Sequence, residues 1–221
     1  MNTNELNREL LTFLDESPCN LWAVDNMRRK LAQEGFSALS EAETWELQPG
    51  RGYYVTRGGT ALIAFRMPEE NGEETSETIR GLQIISAHCD SPLFKVKPGG
   101  GMSTEGYLRL NVEKYGGTMI GSWLDRPLSV AGRVLVRTED GVASRLFRID
   151  RDLLIIPDVA IHMNRKINDG FVYNLQTDLA PLLGQEGGEY KGLLAMIAAE
   201  AGVQAERVSM TPVCVACVML A

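Results

Sequence analysis

The chain carries two histidines, His88 and His162, so any metal binding or acid–base catalysis through imidazole rests on them. His88 opens the run His88-Cys89-Asp90-Ser91-Pro92. A neutral imidazole is the commonest protein ligand for metals such as zinc. In extended backbone, residues two apart point to the same side. Asp90 can therefore accept a hydrogen bond from one ring nitrogen, fixing the tautomer and leaving the other nitrogen for a metal. The same carboxylate could reach a water or a second metal. The tripeptide is equally compatible with a histidine that only hydrogen-bonds Asp90. His162, in Ile161-His162-Met163-Asn164-Arg165, reads by spacing alone as a partly buried structural histidine.

The other reactive residues argue less. In a strand, Cys89 would face away from His88, which speaks against a Cys–His nucleophile pair. Ser91 lacks the G-x-S-x-G setting of a nucleophile elbow. Cys214 and Cys217 have C-x-x-C spacing, but no second pair exists to complete a four-ligand zinc site. Their apolar surroundings suit small packing residues in a strand better than a thioredoxin-like motif. Neither Gly58-Gly59 nor Gly99-Gly100-Gly101 fits a phosphate-binding pattern.

These residues need elements to hold them. Leu6, Leu10, Phe13 and Leu14 recur at helical spacing, with Asn2, Thr3 or Asn4 as caps. A second helix is expected from about Asn20 to Glu34, its stripe Leu21, Val24, Met27 and Leu31, stopped by Gly35. The two read as an amphipathic pair covering a sheet. Gly52–Thr56 and Ala61–Phe65 read as strands around the turn Arg57-Gly58-Gly59. Pro68 to Thr78, rich in glutamate, reads as an exposed loop. Leu82 to Ala87 reads as a buried strand that delivers His88 at its carboxyl end, where α/β sheets gather ligands. After Pro92 short alternating runs dominate: Phe94–Lys97, Leu108–Glu113, Leu128–Val136 and Leu146–Ile149. Gly99-Gly100-Gly101 and Gly116-Gly117 are expected turns. The stretch Gly116 to Arg126 reads as a turn, a packed strand and an Asp-Arg ion pair. A last helix is expected near Lys191–Ala201. The whole suggests an α/β fold with a β-rich, barrel-like module.

Composition narrows the classes. Hydrophobic residues are 44% and charged residues 23%, ordinary for a folded domain. The net charge of −7 is opposite to that of a general nucleic-acid binder. No long uncharged apolar stretch suggests a membrane span, and the first residues do not resemble a secretory signal. The four cysteines then read as reduced thiols of a cytoplasmic protein.

Four ordered motifs carry more than spacing does. They are Ser86-Ala87-His88-Cys89-Asp90-Ser91-Pro92, Glu113-Lys114-Tyr115-Gly116-Gly117, Trp123 through Val134, and Ala160-Ile161-His162-Met163-Asn164-Arg165. Together they resemble the M18 family of zinc aminopeptidases, the aspartyl aminopeptidase group, from the first helices to about residue 205. The resemblance implies an α/β-sandwich catalytic domain into which a β-rich dimerisation domain is inserted. It places part of the catalytic domain at residues 1–92, the insert at 93–207 and a divergent apolar tail at 208–221. It implies two zinc ions per complete site, His88 as a metal ligand, Asp90 as the acid that orients it, and His162 reaching a neighbouring subunit's active site. There His162 would polarise substrate or stabilise the oxyanion. The implied reaction removes single residues from peptides with a free N-terminus, by water that zinc activates. A homo-oligomer formed through residues 93–207 is implied as well.

Relative to the family's pattern, the later ligands are missing: a bridging aspartate, a Glu-Glu pair, a further aspartate and a distal histidine. The chain therefore reads as the N-terminal half of such an enzyme, inactive alone. The competing reading is an oligomerisation module without catalysis. A C-x-x-C redox protein is a third.

Overall fold

Asn2 begins the first helix with a reciprocal cap. Its side chain accepts the Glu5 N–H at 3.0 Å, and the Glu5 carboxylate accepts the Asn2 N–H at 2.8 Å. The helix, α1, spans Thr3–Asp15, and α2 spans Asn20–Gln33. The structure, a computed structural model, describes residues 2–69, 81–187, 192–209 and 213–215. It divides into two compact units, Met1–Asp90 and Ser91–Ala221.

In the first unit α2 buries Leu21, Ala23 and Val24, and Cys19 just before it is also buried. α1 buries nothing: Leu6, Leu10 and Leu14 are each more than half exposed. The expected covering pair is thus one covering helix and one flanking helix. Lys30 of α2 holds α1 through Glu9 at 2.8 Å, an exposed pair of small energetic weight. Three strands follow: β1 (Ser37–Ala38), β2 (Gly52–Arg57) and β3 (Ala61–Arg66). β1 runs parallel to β2, and β2 antiparallel to β3. The β2–β3 turn works because Gly58 and Gly59 adopt φ +60° and +71°, a region that side chains rarely enter. The glutamate-rich loop expected from Pro68 to Thr78 lies mostly outside the described residues.

The expected strand at Leu82–Ala87 does not form. Residues 81–92 carry no regular secondary structure. Leu82, Ile84 and Ile85 are 78%, 79% and 92% exposed. An apolar run becomes a strand only where another strand offers its main-chain groups in register, and among the described residues none does.

The second unit holds β4 (Leu93–Thr104), β5 (Tyr107–Tyr115), β6 (Ala131–Thr138), β7 (Gly141–Arg148), β8 (Leu182–Gln185), α3 (Leu193–Glu200), β9 (Val208–Ser209) and β10 (Val213–Val215). One sheet has the order β10-β4-β5-β8, the other β7-β6-β9. Both orders are open among the described residues, so no closed barrel is formed there. The two sheets share one core. It joins Phe94 and Val96 of β4, Leu110 and Val112 of β5, Val134 of β6 and Phe147 of β7. Ile197 seats α3 on it. Ser129, buried in this region, is satisfied by donating to the Ile149 carbonyl at 2.6 Å. The short strands β9 and β10 bring part of the apolar tail into these sheets, pairing with β6 and β4.

The glycine triplet is not a turn. It lies inside β4, where the register with β5 shifts between Val96 and Gly101. A Cβ at Gly100 would sit 2.6 Å from the Lys97 carbonyl oxygen, so the backbone folds back where only glycine fits. Gly100→Ala is expected to cost about 1–3 kcal/mol through this clash. Thermal melts of the two proteins check it, and an unchanged midpoint contradicts it. The expected strand near Trp123 is also replaced, by a 3-10 turn at Ile120–Trp123.

Candidate functional site

The irregular stretch from residue 81 ends in His88, Cys89 and Asp90. The Cys89 thiol donates to the Thr60 carbonyl at 3.2 Å, tying the stretch to the β2–β3 turn. The His88 Nδ1 lies 2.8 Å from the Asp90 carbonyl oxygen and 3.2 Å from Asp90 Oδ1. Both are acceptors, so the proton belongs on Nδ1 and the lone pair on Nε2. The ring is 84% exposed, against 42% for the Asp90 side chain. The local chain thus presents an oriented imidazole with its free nitrogen toward solvent.

His162 belongs to the second unit. It sits in a long irregular loop, residues 157–181, on a turn in which the Met163 N–H donates to the Ala160 carbonyl at 2.8 Å. The residue is exposed, not partly buried as its spacing suggests. Ile161 and Met163 beside it are exposed too. The loop is nonetheless built. Asp178 accepts the Asn174 N–H at 2.8 Å and the Thr177 hydroxyl at 2.9 Å. The Arg109 guanidinium donates to the Thr177 carbonyl at 2.7 Å. Tyr173 lies within this frame, and desolvation, then the charges of Asp158 and Asp178, push its hydroxyl above its ordinary pKa. The tyrosine stays protonated, a donor, across the neutral range.

Sequence reasoning overlooked Asp125 as more than half of an Asp-Arg pair. Its φ is +54°, and its carboxylate accepts the Asp158 N–H at 2.9 Å, four residues before His162. The only available signal was residue type, since aspartate tolerates left-handed backbone better than most residues. Cys217 lies outside the described residues, and so does the side chain of Cys214. A cavity of about 510 Å³ at the β6–β7 end of the second unit is lined by Arg145, Arg207, Glu139 and Asp140 among others, with no histidine or cysteine.

The Aminopeptidase I zinc metalloprotease (M18) model matches residues 13–216. The chain belongs to the M18 family. The "Probable M18 family aminopeptidase 2" of Clostridium novyi (strain NT) is 44% identical over 179 residues, covering 80% of this chain and 40% of that protein. Its namesake in Clostridium acetobutylicum is 38% identical over 213 residues, covering 94% and 48%. This M18 chain spans about half the length of the curated relatives it matches. Among solved structures, the cryo-EM structure of the Ape4 and Nbr1 complex matches with TM-score 0.86 and 34% identity, covering 95% of this chain and 43% of that one. The crystal structure of an M18 aminopeptidase from Thermotoga maritima shares the fold, with TM-score 0.74 at 23% identity over 98% and 48%.

The family's description names zinc, and His88 fits as one donor. A zinc ion takes about three or four protein donors. Among the described residues no three His, Cys, Asp or Glu side chains come together as such a set. The described residues of this M18 chain therefore do not make a zinc centre by themselves. Nor does any helix among them have the length and apolarity to cross a membrane.

Proposed function

We propose that the chain supplies part of a metallo-aminopeptidase site that removes single residues from peptides with a free N-terminus. The observation that supports it best is the His88–Asp90 pair, an imidazole whose Nδ1 proton is held and whose Nε2 is open. His88 acts as a metal ligand. Asp90 acts as the residue that fixes its tautomer. His162, on its exposed loop, acts on the substrate carbonyl in a neighbouring subunit, by donating a hydrogen bond where negative charge develops. In this reading residues 1–92 are part of the catalytic domain, 93–207 an inserted dimerisation domain with barrel-like character, and the protein works in the cytoplasm.

The test is a chimera. The matched segment of the Clostridium novyi relative is replaced by that of this chain, and release of N-terminal residues is measured. His88→Ala is expected to abolish release, and Asp90→Asn to lower it by about 10–100-fold. His162→Ala is expected to lower kcat on the order of a hundredfold. A His88→Ala chimera as active as its parent ends the reading.

A second reading, self-association without catalysis, is favoured by one observation. The loop that bears His162 exposes Val159, Met163 and Val172, the last by 85%. The solved structure of the S. cerevisiae mApe1 dodecamer shares the fold. Light scattering after size exclusion is expected to show an oligomer of the 221-residue chain, dispersed by Met163→Glu with Val172→Glu. A monomer at every concentration removes this reading.

A further inference from the structure

We propose that Asp125 is a positioning residue that sets the loop bearing His162. Two groups of the same residue grip the start of the loop on either side of Pro157. The Asp125 N–H donates to the Ile156 carbonyl at 2.9 Å, and the Asp125 carboxylate accepts the Asp158 N–H at 2.9 Å. Both contacts depend on the left-handed backbone, φ +54°, of a residue that has a Cβ. The described residues include one other such case, Glu105 at φ +52°, and the β4–β5 turn with Gly106 accounts for it. No hairpin accounts for Asp125, which follows the 3-10 turn at Ile120–Trp123.

Strain of this kind persists where surrounding contacts over-determine it. Here those contacts are at hand. Leu128 donates to the Leu154 carbonyl at 2.8 Å, so the chain after Asp125 is fixed to the chain before Ile156. Trp123, two residues earlier, packs edge-on to the buried Phe94 at 4.8 Å between ring centroids. Asp125 is therefore anchored on both flanks to the core, and it passes that anchorage to Asp158. From Asp158 only three residues remain before His162, and the Ala160 carbonyl accepts the Met163 N–H at 2.8 Å and the Asn164 N–H at 3.4 Å around it. The path of the chain into the turn that bears His162 thus starts from a segment that one carboxylate holds.

The functional meaning rests on the reading of His162 given above, but the test needs no turnover. The full 221-residue chain, with 15N-labelled histidine, gives two sets of imidazole signals, one per histidine, assigned by His88→Ala. Asparagine keeps an acceptor oxygen and tolerates left-handed backbone. Glycine tolerates the backbone but has no acceptor. Asp125→Asn is expected to leave the His162 signal in place. Asp125→Gly is expected to move it by more than its line width and to speed exchange of the Asp158 amide by about tenfold. The His88 signal should stay unmoved in both. An unmoved His162 signal in Asp125→Gly overturns the proposal. So does an equal shift in both variants, or a shift that His88 shares. Asp125→Ala combines strain with loss of the acceptor, and if it fails to fold the other two variants still decide. Peptidase measurements on the chimera bear on the role of His162 separately, so failure of one claim is told apart from failure of the other.

Discussion

Given zinc and an aminoacyl chromogenic substrate, the 221-residue polypeptide will release no chromophore above the blank. The chain supplies two imidazoles, and among the described residues it is His88 that has a neighbouring acid to hold its ring. One imidazole ligand does not retain a metal against water; catalytic zinc is ordinarily held by about three protein ligands. The described residues bring no such set together. Weak binding is still expected, because an exposed Nε2 lone pair accepts a metal transiently. Zinc titration should therefore perturb the His88 ring signal at lower concentration than that of His162, because Asp90 already orients the His88 ring. Sustained turnover by the purified polypeptide, lost on His88→Ala, would show that its own residues complete the site.

The largest stability effect belongs to Phe94→Ala. Phe94 is 1% exposed, lies in the shared core of the two sheets and meets Trp123 edge-on. Removing a buried phenyl ring costs about 3–5 kcal/mol. A domain's whole stability is about 5–15 kcal/mol, so this single change consumes much of it. The melting midpoint of the second unit should fall by about 10 °C or more. Trp123 fluorescence should report the loss of that unit's packing. Ile85→Ser is the contrast: a side chain 92% exposed, expected to change stability by less than about 0.5 kcal/mol while improving solubility. Equal losses in the two variants would mean that Phe94 is not part of the core that holds the sheets together.

What could be read from sequence was local. A helix cap among Asn2, Thr3 and Asn4, the Gly58-Gly59 turn and the alternation of β5 each carry their signal within a few residues, and each element formed. The His88–Asp90 contact was also legible as a possibility, because residues two apart lie within reach of one another whether or not a sheet forms. What depends on distant partners was not legible. Leu82 to Ala87 has strand composition, but pairing is a property of two segments, and only one was in view. The glycine triplet looked like a turn because a bulge and a turn need the same residue type. Asp125 was missed because the partners of its N–H and its carboxylate, Ile156 and Asp158, lie far along the chain.

The open stretch before His88 has a consequence for the chain's life in a cell. Irregular polypeptide with bare leucine and isoleucine is what holdase chaperones capture and what proteases cut. Quality control would act on Leu82, Ile84 and Ile85 even while both folded units remain intact. The amount of this protein at steady state then depends less on how firmly its cores are packed than on how soon that stretch is covered.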